Sequence, residues 1–300
     1  MSLVFLNGQW CPIENAKVSV LDRGFMFGDG VYEVVPVYER KPYRLQQHLN
    51  RLQYCLDGLS IPNPYTNDEW VDHIHEGITQ HHLDNQSVYI QVTRGVAPRG
   101  AGFPEKVTPT VVMMGNPLRR PSPEQVAYGV KAITMEDQRW LHCNYKTTSL
   151  LGNILAFQNA LAHEAVEAIL FRNGFLTEGA LTNVIVVREG SIIVPPKSNL
   201  VLYGITMDAI IELAPSIDIP IRYEALSEND VRTADEIWIS SSTAREIVAV
   251  TTLDEAPVGN GRPGEIYKRM YNAYQNDIQE QCFSIPLHHI KLEAPYMIYS

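Results

Sequence analysis

Lys146 stands in the run "RWLHCNYKTTSLLGNILAF", residues 139–157, between a β-rich stretch and an apolar helical one. A lysine is ordinarily a solvated surface cation. At an edge where a strand gives way to a helix capped by Thr148 or Ser149, beside Tyr145, partial burial would make its amine a nucleophile able to form an imine. Two groups of hydrogen-bond donors lie downstream. "LYGITMDAIIEL", residues 202–213, places Gly204, Ile205 and Thr206 at the start of a helical run, where unpaired N–H groups and the helix dipole favour an anion. "ISSSTA", residues 239–244, ends a strand in the hydroxyls of Ser241, Ser242 and Thr243.

An imine-forming lysine with two such donor groups points to a phosphorylated aldehyde, pyridoxal 5′-phosphate (PLP), held covalently by Lys146 and through its phosphate by the helix start. That cofactor works best with an acid beside its pyridine nitrogen. Glu178 in "FLTEGALTN", in a Gly-containing bend between two apolar runs, is the candidate. The loop "TRGVAPRGAGFPE" is too rich in Pro and Gly for a helix and carries Arg94 and Arg99. The planar fork of either suits the carboxylate of an amino or keto acid, and spacing does not rank the two. "DRGFMFGDGVYEVV", residues 22–35, packs three glycines and two phenylalanines ahead of a strand. Its spacing is not G-x-G-x-x-G and no Walker lysine follows, so a nucleotide loop is excluded.

The elements that must position these residues are legible in outline. Residues 2–8 and 31–38 read as strands. Leu45, Leu49, Leu52, Leu56 and Leu59 recur at helical spacing over 44–59, and Thr66 with Glu69 forms a capping box ahead of Trp70, Ile74 and Ile78. "SVYIQVTRG" and "TPTVVMMG" read as strands, closing a first α+β domain over 1–115. "NPLRRPSPEQ", 116–125, with three prolines, reads as a linker. A second, larger domain over 126–282 follows: a strand "GVKAITM", the Lys146 loop, a helix over about 149–164, the apolar runs "EAILF", "NVIVV" and "IIVPP", a helix entered through Gly204, the strand "DEIWISSSTA", and a closing helix "GEIYKRMYNAYQNDIQEQ". Residues 283–300 form an extension with no clear period.

A net charge of −10 argues against nucleic acid or an anionic membrane as partner. No run reaches the roughly 20 apolar residues of a membrane span, and the N-terminus lacks a signal peptide's positive region. Cys11, Cys55, Cys143 and Cys282 lie far apart without a zinc or disulfide pattern, so a reduced cytoplasm and no metal are expected.

Together, "DRGFMFGDGVYEVV", "VYIQVTRG…PR…FPE", "RWLHCNYKTTSLLGNILA", "EAILFRNGFLTEG…TNV" and "LYGIT" resemble the D-amino acid aminotransferases, in one register from about residue 3 to about 280. These are fold type IV PLP enzymes, grouped with the branched-chain aminotransferases and aminodeoxychorismate lyases. "FGDGVYE" favours the D-amino acid branch. The resemblance implies two α+β domains with the cofactor between them, a homodimer, and transamination of D-alanine and 2-oxoglutarate to pyruvate and D-glutamate. By position, Lys146 matches the lysine that holds the cofactor as an aldimine and shuttles the proton, and Glu178 the partner of the pyridine nitrogen. Arg51 matches the phosphate-binding arginine, and Ile205, Thr206 and Ser242 the rest of the phosphate cup. Leu202 matches the leucine packed on the ring, and Tyr32 with Arg99 matches part of the trap for the substrate carboxylate. The glycine loop would let backbone close over the pocket and aim Tyr32 into it.

Three positions depart from the family pattern. Ala101 replaces a histidine of the carboxylate trap, Ala180 and Leu181 replace serines, and Met207 replaces a common arginine. The rivals on the same fold are an aminodeoxychorismate lyase and a branched-chain L-aminotransferase. A catalytically silent binding protein is the rival from another class.

Overall fold

The computed structural model describes residues 3–243 and 245–283; apart from Phe283, the extension over 283–300 lies outside the described residues. The described residues form two sheets. The first contains β1 (Leu3–Leu6), β2 (Gln9–Pro12), β3 (Gly30–Tyr38), β4 (Lys41–Pro42), β5 (Gln86–Thr93) and β6 (Thr110–Pro117), ordered β2-β1-β6-β5-β3-β4 and antiparallel throughout. Three helices belong to it: α1 (Arg23–Phe27), α2 (Leu45–Gly58) and α3 (Asn67–Gln80). The leucine spacing of α2 buries Leu49, Leu52 and Leu56 against Val31, Val35 and Ile90 of the sheet. The Thr66–Glu69 capping box starts α3, whose Trp70, Ile74 and Ile78 join the same core.

The second sheet has nine strands. After α4 (Pro123–Tyr128) come β7 (Val130–Glu136), α5 (Leu151–Ala162), β8 (Glu167–Arg172), β9 (Phe175–Gly179), β10 (Asn183–Arg188), β11 (Ser191–Val194) and α6 (Ile205–Leu213). Then follow β12 (Ile221–Tyr223), α7 (Glu228–Arg232), β13 (Glu236–Ser241), β14 (Glu246–Leu253), β15 (Ala256–Pro257) and α8 (Glu265–Cys282). The main path is β12-β11-β10-β13-β14-β7-β8-β9, with β15 paired to β14. The pairings β14–β7, β7–β8 and β11–β12 are parallel, and the others in this sheet are antiparallel. Period-two alternation sends Ile185, Val187 and Trp238 into a core with α6 and α8, and Val184, Val186 and Ile237 into another on the opposite face.

The prolines of 116–125 do not make that whole stretch irregular. β6 continues through Pro117, and a Ser122–Gln125 capping box starts α4 with Pro123 in its first turn, where proline's missing N–H costs no bond. The N-terminal apolar run is likewise a hairpin, β1 paired to β2, rather than one strand over 2–8. Polar contacts join the two sheets. Glu246 on β14 accepts from Tyr38 of β3 at 3.0 Å, Arg120 at 2.7 Å and Gln275 of α8 at 2.8 Å. Arg44, just before α2, pairs with Glu212 at 2.6 Å and Asp277 at 3.2 Å.

Candidate active site

Lys146 lies on the long connection between β7 and α5, and that connection is bound to the first sheet. Tyr32 N donates to Lys146 O at 3.0 Å, and Lys146 N donates to Cys55 Sγ at 3.2 Å. Val31 and Thr147 form an isolated antiparallel bridge. The helix after Lys146 starts later than the sequence indicates: α5 begins at Leu151, and its N-cap Leu150 makes no side-chain cap bond. Thr148 and Ser149 do not cap it because their hydroxyls turn to the glycine loop. Thr148 Oγ1 and Ser149 Oγ both donate to Gly28 O, at 2.9 and 3.1 Å, and Thr148 N donates to Gly30 O at 3.0 Å.

Close contacts explain two of the glycines, the lysine loop at Gly28 and the neighbouring strand β5 at Gly30. Gly28 ends α1 at φ 65°, and a Cβ there would stand 2.4 Å from Ser149 Oγ. At Gly30 a Cβ would stand 2.8 Å from Val92 O. The glycine loop therefore grips the lysine's own loop, and β3 leaves it with Tyr32 facing the same cavity as Lys146. The ammonium of Lys146 sits 4.2 Å from the centroid of the Tyr32 ring.

Glu178 on β9 is buried and lines the cavity, and three donors hold its carboxylate. Arg139 Nη1 donates to Oε1 at 2.5 Å, Leu202 N to Oε2 at 3.0 Å and Asn183 Nδ2 to Oε2 at 3.3 Å. Burial pushes its carboxyl up, to about 7, against the pull of Arg139. Arg139 is held in turn by Asp137, with Nε and Nη2 donating at 3.0 and 2.9 Å. Burial alone would raise Asp137 as well, but Arg139's hydrogen bonds and charge outweigh it and hold that carboxyl below its usual range.

A donor cradle lines the same cavity. Helix α6 starts after Gly204 without a side-chain cap, and Asp208 N is the first of its amides bonded back, to Gly204 O. The N–H groups of Ile205, Thr206 and Met207 are thus left for an anion. Thr206 Oγ1 and Ser242 Oγ are 3.2 Å apart. The buried hydroxyls of Ser240 and Ser241 have no hydrogen-bond partner among the described residues. Arg51 on α2 reaches the cradle from the first sheet, with Nη1 donating to Tyr203 O at 3.2 Å. The close approach of Gly204 to Asn183 excludes a larger residue, since a Cβ would stand 2.1 Å from Asn183 Oδ1.

One cavity of about 270 Å³ is lined by Tyr32, Arg51, Lys146, Glu178, Leu202, Thr206, Ser241 and Ser242. Ile205 does not line it; it is buried behind, so only its main chain is available there. Arg99 does not line it either. It is exposed on the loop after β5, its guanidinium 5.7 Å from the Phe27 ring. Arg94, which spacing left level with Arg99, is committed elsewhere: it is bidentate to Asp29 at 2.8 and 3.0 Å and donates to Leu59 O and Ser60 O. The sequence reading missed Arg139, Asn183 and Ser240. Asp137 and Arg139, two apart at a strand end, were the available signal.

Orphaned hydroxyls, the open start of a helix, a buried carboxylate and an amine brought to one cavity fit PLP. The family model described as Amino-transferase class IV matches residues 30–253. D-alanine aminotransferase of Staphylococcus epidermidis is 36% identical over 280 residues, 93% of this chain and 99% of that protein. The Bacillus licheniformis D-alanine aminotransferase is 35% identical over 92% of this chain and 96% of its own length. Among solved structures, the branched-chain amino acid aminotransferase of Escherichia coli superposes with a TM-score of 0.87 at 27% identity, over 92% of this chain and 94% of that one. The chain belongs to the class IV aminotransferases, on the type IV fold. It is an aminotransferase that works with PLP.

Proposed function

We propose that the chain transaminates D-amino acids, carrying the amino group of D-alanine to 2-oxoglutarate to give pyruvate and D-glutamate. The observation that carries this is its end-to-end likeness to D-alanine aminotransferases, with no large segment unmatched on either side.

Lys146 would hold the cofactor covalently. The α6 amides, Thr206, Ser241, Ser242 and Arg51 would hold its phosphate, Leu202 would pack on its ring, and Glu178 would face its pyridine nitrogen. Bound there, PLP supplies an electron sink that makes a substrate's α-proton labile. Lys146 Nζ is the base that takes and returns that proton. Arg139 and Leu202 N keep Glu178 in one orientation, and Tyr32 closes the cavity on the first-sheet side. Tyr32 and Arg99 would bind the substrate carboxylate. Because Arg99 lies outside the cavity of its own chain, that role requires an assembly that brings a second copy's loop to the site.

A homodimer meets that requirement. It is supported by the apolar residues that α5 leaves exposed beside the lysine loop, Leu151, Ile154 and Leu155, and by exposed Phe25 and Phe103. The division into domains over 1–115 and 126–282 and a cytoplasmic setting belong to the same reading. No described helix is long and apolar enough to cross a membrane.

The test is the visible spectrum of the PLP-loaded protein with D-alanine, L-alanine and L-leucine in turn. Bleaching by D-alanine alone, with release of pyruvate, is expected. Bleaching by L-leucine would transfer the reading to a branched-chain enzyme. A band stable to all three would favour the aminodeoxychorismate lyase, the rival that Ala101 keeps open.

A further inference from the structure

Glu33 follows Tyr32 on β3 and is wholly buried, yet the roles proposed above leave it unused. Its carboxylate takes the Nε side of the Arg51 fork, accepting from Nε at 2.9 Å and from Nη2 at 2.7 Å. Oε1 also accepts from Val34 N at 2.9 Å and meets Nδ1 of buried His48 at 3.0 Å. His48 and Arg51 lie on one face of α2, three residues apart, so a single helix brings both to the same carboxylate. A carboxylate held by a backbone amide, an imidazole and a guanidinium has little freedom to rotate.

The consequence falls on Arg51. A guanidinium has five N–H donors in a fixed plane. Glu33 engages two of them and Tyr203 O a third, leaving one on Nη1 and one on Nη2. With Nε and one Nη2 hydrogen on Glu33, the free Nη2 hydrogen points to the other edge of the fork, beside Nη1. Nη1 already touches the carbonyl directly ahead of Gly204 and the open start of α6. Without Glu33, a long flexible side chain would have to find that orientation unaided, at the cost of its rotamer entropy.

We propose that Glu33 is a positioning residue for the phosphate of PLP: it aims the free edge of Arg51 at the start of α6, and His48 locks Glu33 in place. This rests on the reading of Arg51 as a phosphate ligand. The test is absorbance titration of the full chain with PLP and with pyridoxal, which lacks the phosphate, for Glu33→Gln, Arg51→Gln and the double variant. Glu33→Gln is expected to weaken PLP about tenfold or more, the scale on which orienting partners act, and to leave pyridoxal unchanged. The double variant is expected to bind PLP no more weakly than Arg51→Gln alone, because Glu33 acts only through Arg51.

Unchanged PLP affinity in Glu33→Gln, or equal losses for PLP and pyridoxal, would overturn the proposal. Should the single variant be unstable, the double variant, which leaves no buried charge unpaired, decides alone: PLP binding weaker than in Arg51→Gln overturns it. If Arg51→Gln itself leaves the preference for PLP over pyridoxal intact, the reading of Arg51 fails and the proposal goes with it.

Discussion

The amide of Tyr32 donates to the carbonyl of Lys146 at 3.0 Å, so the two residues whose side chains meet in the cavity are also joined through their main chains. The position of Lys146 is therefore set by backbone bonds to β3 and by the Cys55 thiol, not by its own side chain.

It follows that Lys146→Ala should abolish both transamination and the visible absorption of the PLP-loaded protein while its thermal midpoint stays close to the parent's. Full activity in this variant would sink the mechanism.

Gly28→Ala should be costly. The residue sits at φ 65°, where a Cβ is strained, and that Cβ would stand 2.4 Å from Ser149 Oγ. A loss of at least about 1 kcal/mol in urea-unfolding free energy is expected from the backbone conformation alone. Gly102→Ala, where the added methyl meets nothing within 4 Å, is the control and should be near neutral.

Arg139→Met should destabilise by about 3–5 kcal/mol, because it leaves the buried Glu178 carboxylate without its cation, while Asp137 keeps Arg172. Chemical denaturation measures this directly. A change below about 0.5 kcal/mol, typical of surface sites, would mean that water or another residue compensates.

Arg99→Ala should raise the KM for D-alanine while PLP binding is unaffected. An unchanged KM would remove Arg99 from the substrate site. Arg94 could not then replace it, since its donors are held by Asp29 and two backbone carbonyls.

Acid should unfold the protein partly through Glu33. Burial alone would raise its pKa from the ordinary 4.5, but Arg51 and His48 outweigh burial and hold the folded value well below that. Its contribution is present in full above 4.5 and is lost as pH falls toward the folded value. Asp29, held down by Arg94 and Arg23 despite its partial burial, behaves in the same way from 3.8. Stability measured against pH should decline on the acid side, and Glu33→Gln should flatten that limb. An identical acid limb in the variant would show that Glu33 titrates alike in both states.

Much of the scaffold is legible in the sequence, because burial writes a period into it. The leucines of α2 and the Thr66–Glu69 cap of α3 are local signals, and both elements stand where these place them. The reading fails where a polar side chain serves a distant partner. Thr148 and Ser149 resemble a helix cap, yet they bond a carbonyl about 120 residues away in sequence, which no local pattern records. Arg51 looks like a polar-face residue until the family pattern singles it out, and Glu33 and His48 carry no signal of their joint engagement with it. Lys146 differs: an imine-forming cofactor needs that residue type, so its chemistry narrows the choice before any geometry is known.

The cavity wall draws on residues from Tyr32 to Thr243. Most of the chain must therefore collapse before any binding surface exists, and long loops must close before their contacts reward closure. Cofactor capture should be among the last events of refolding. The coloured fraction of a refolding mixture then counts fully assembled molecules, and intermediates with only one sheet formed stay colourless.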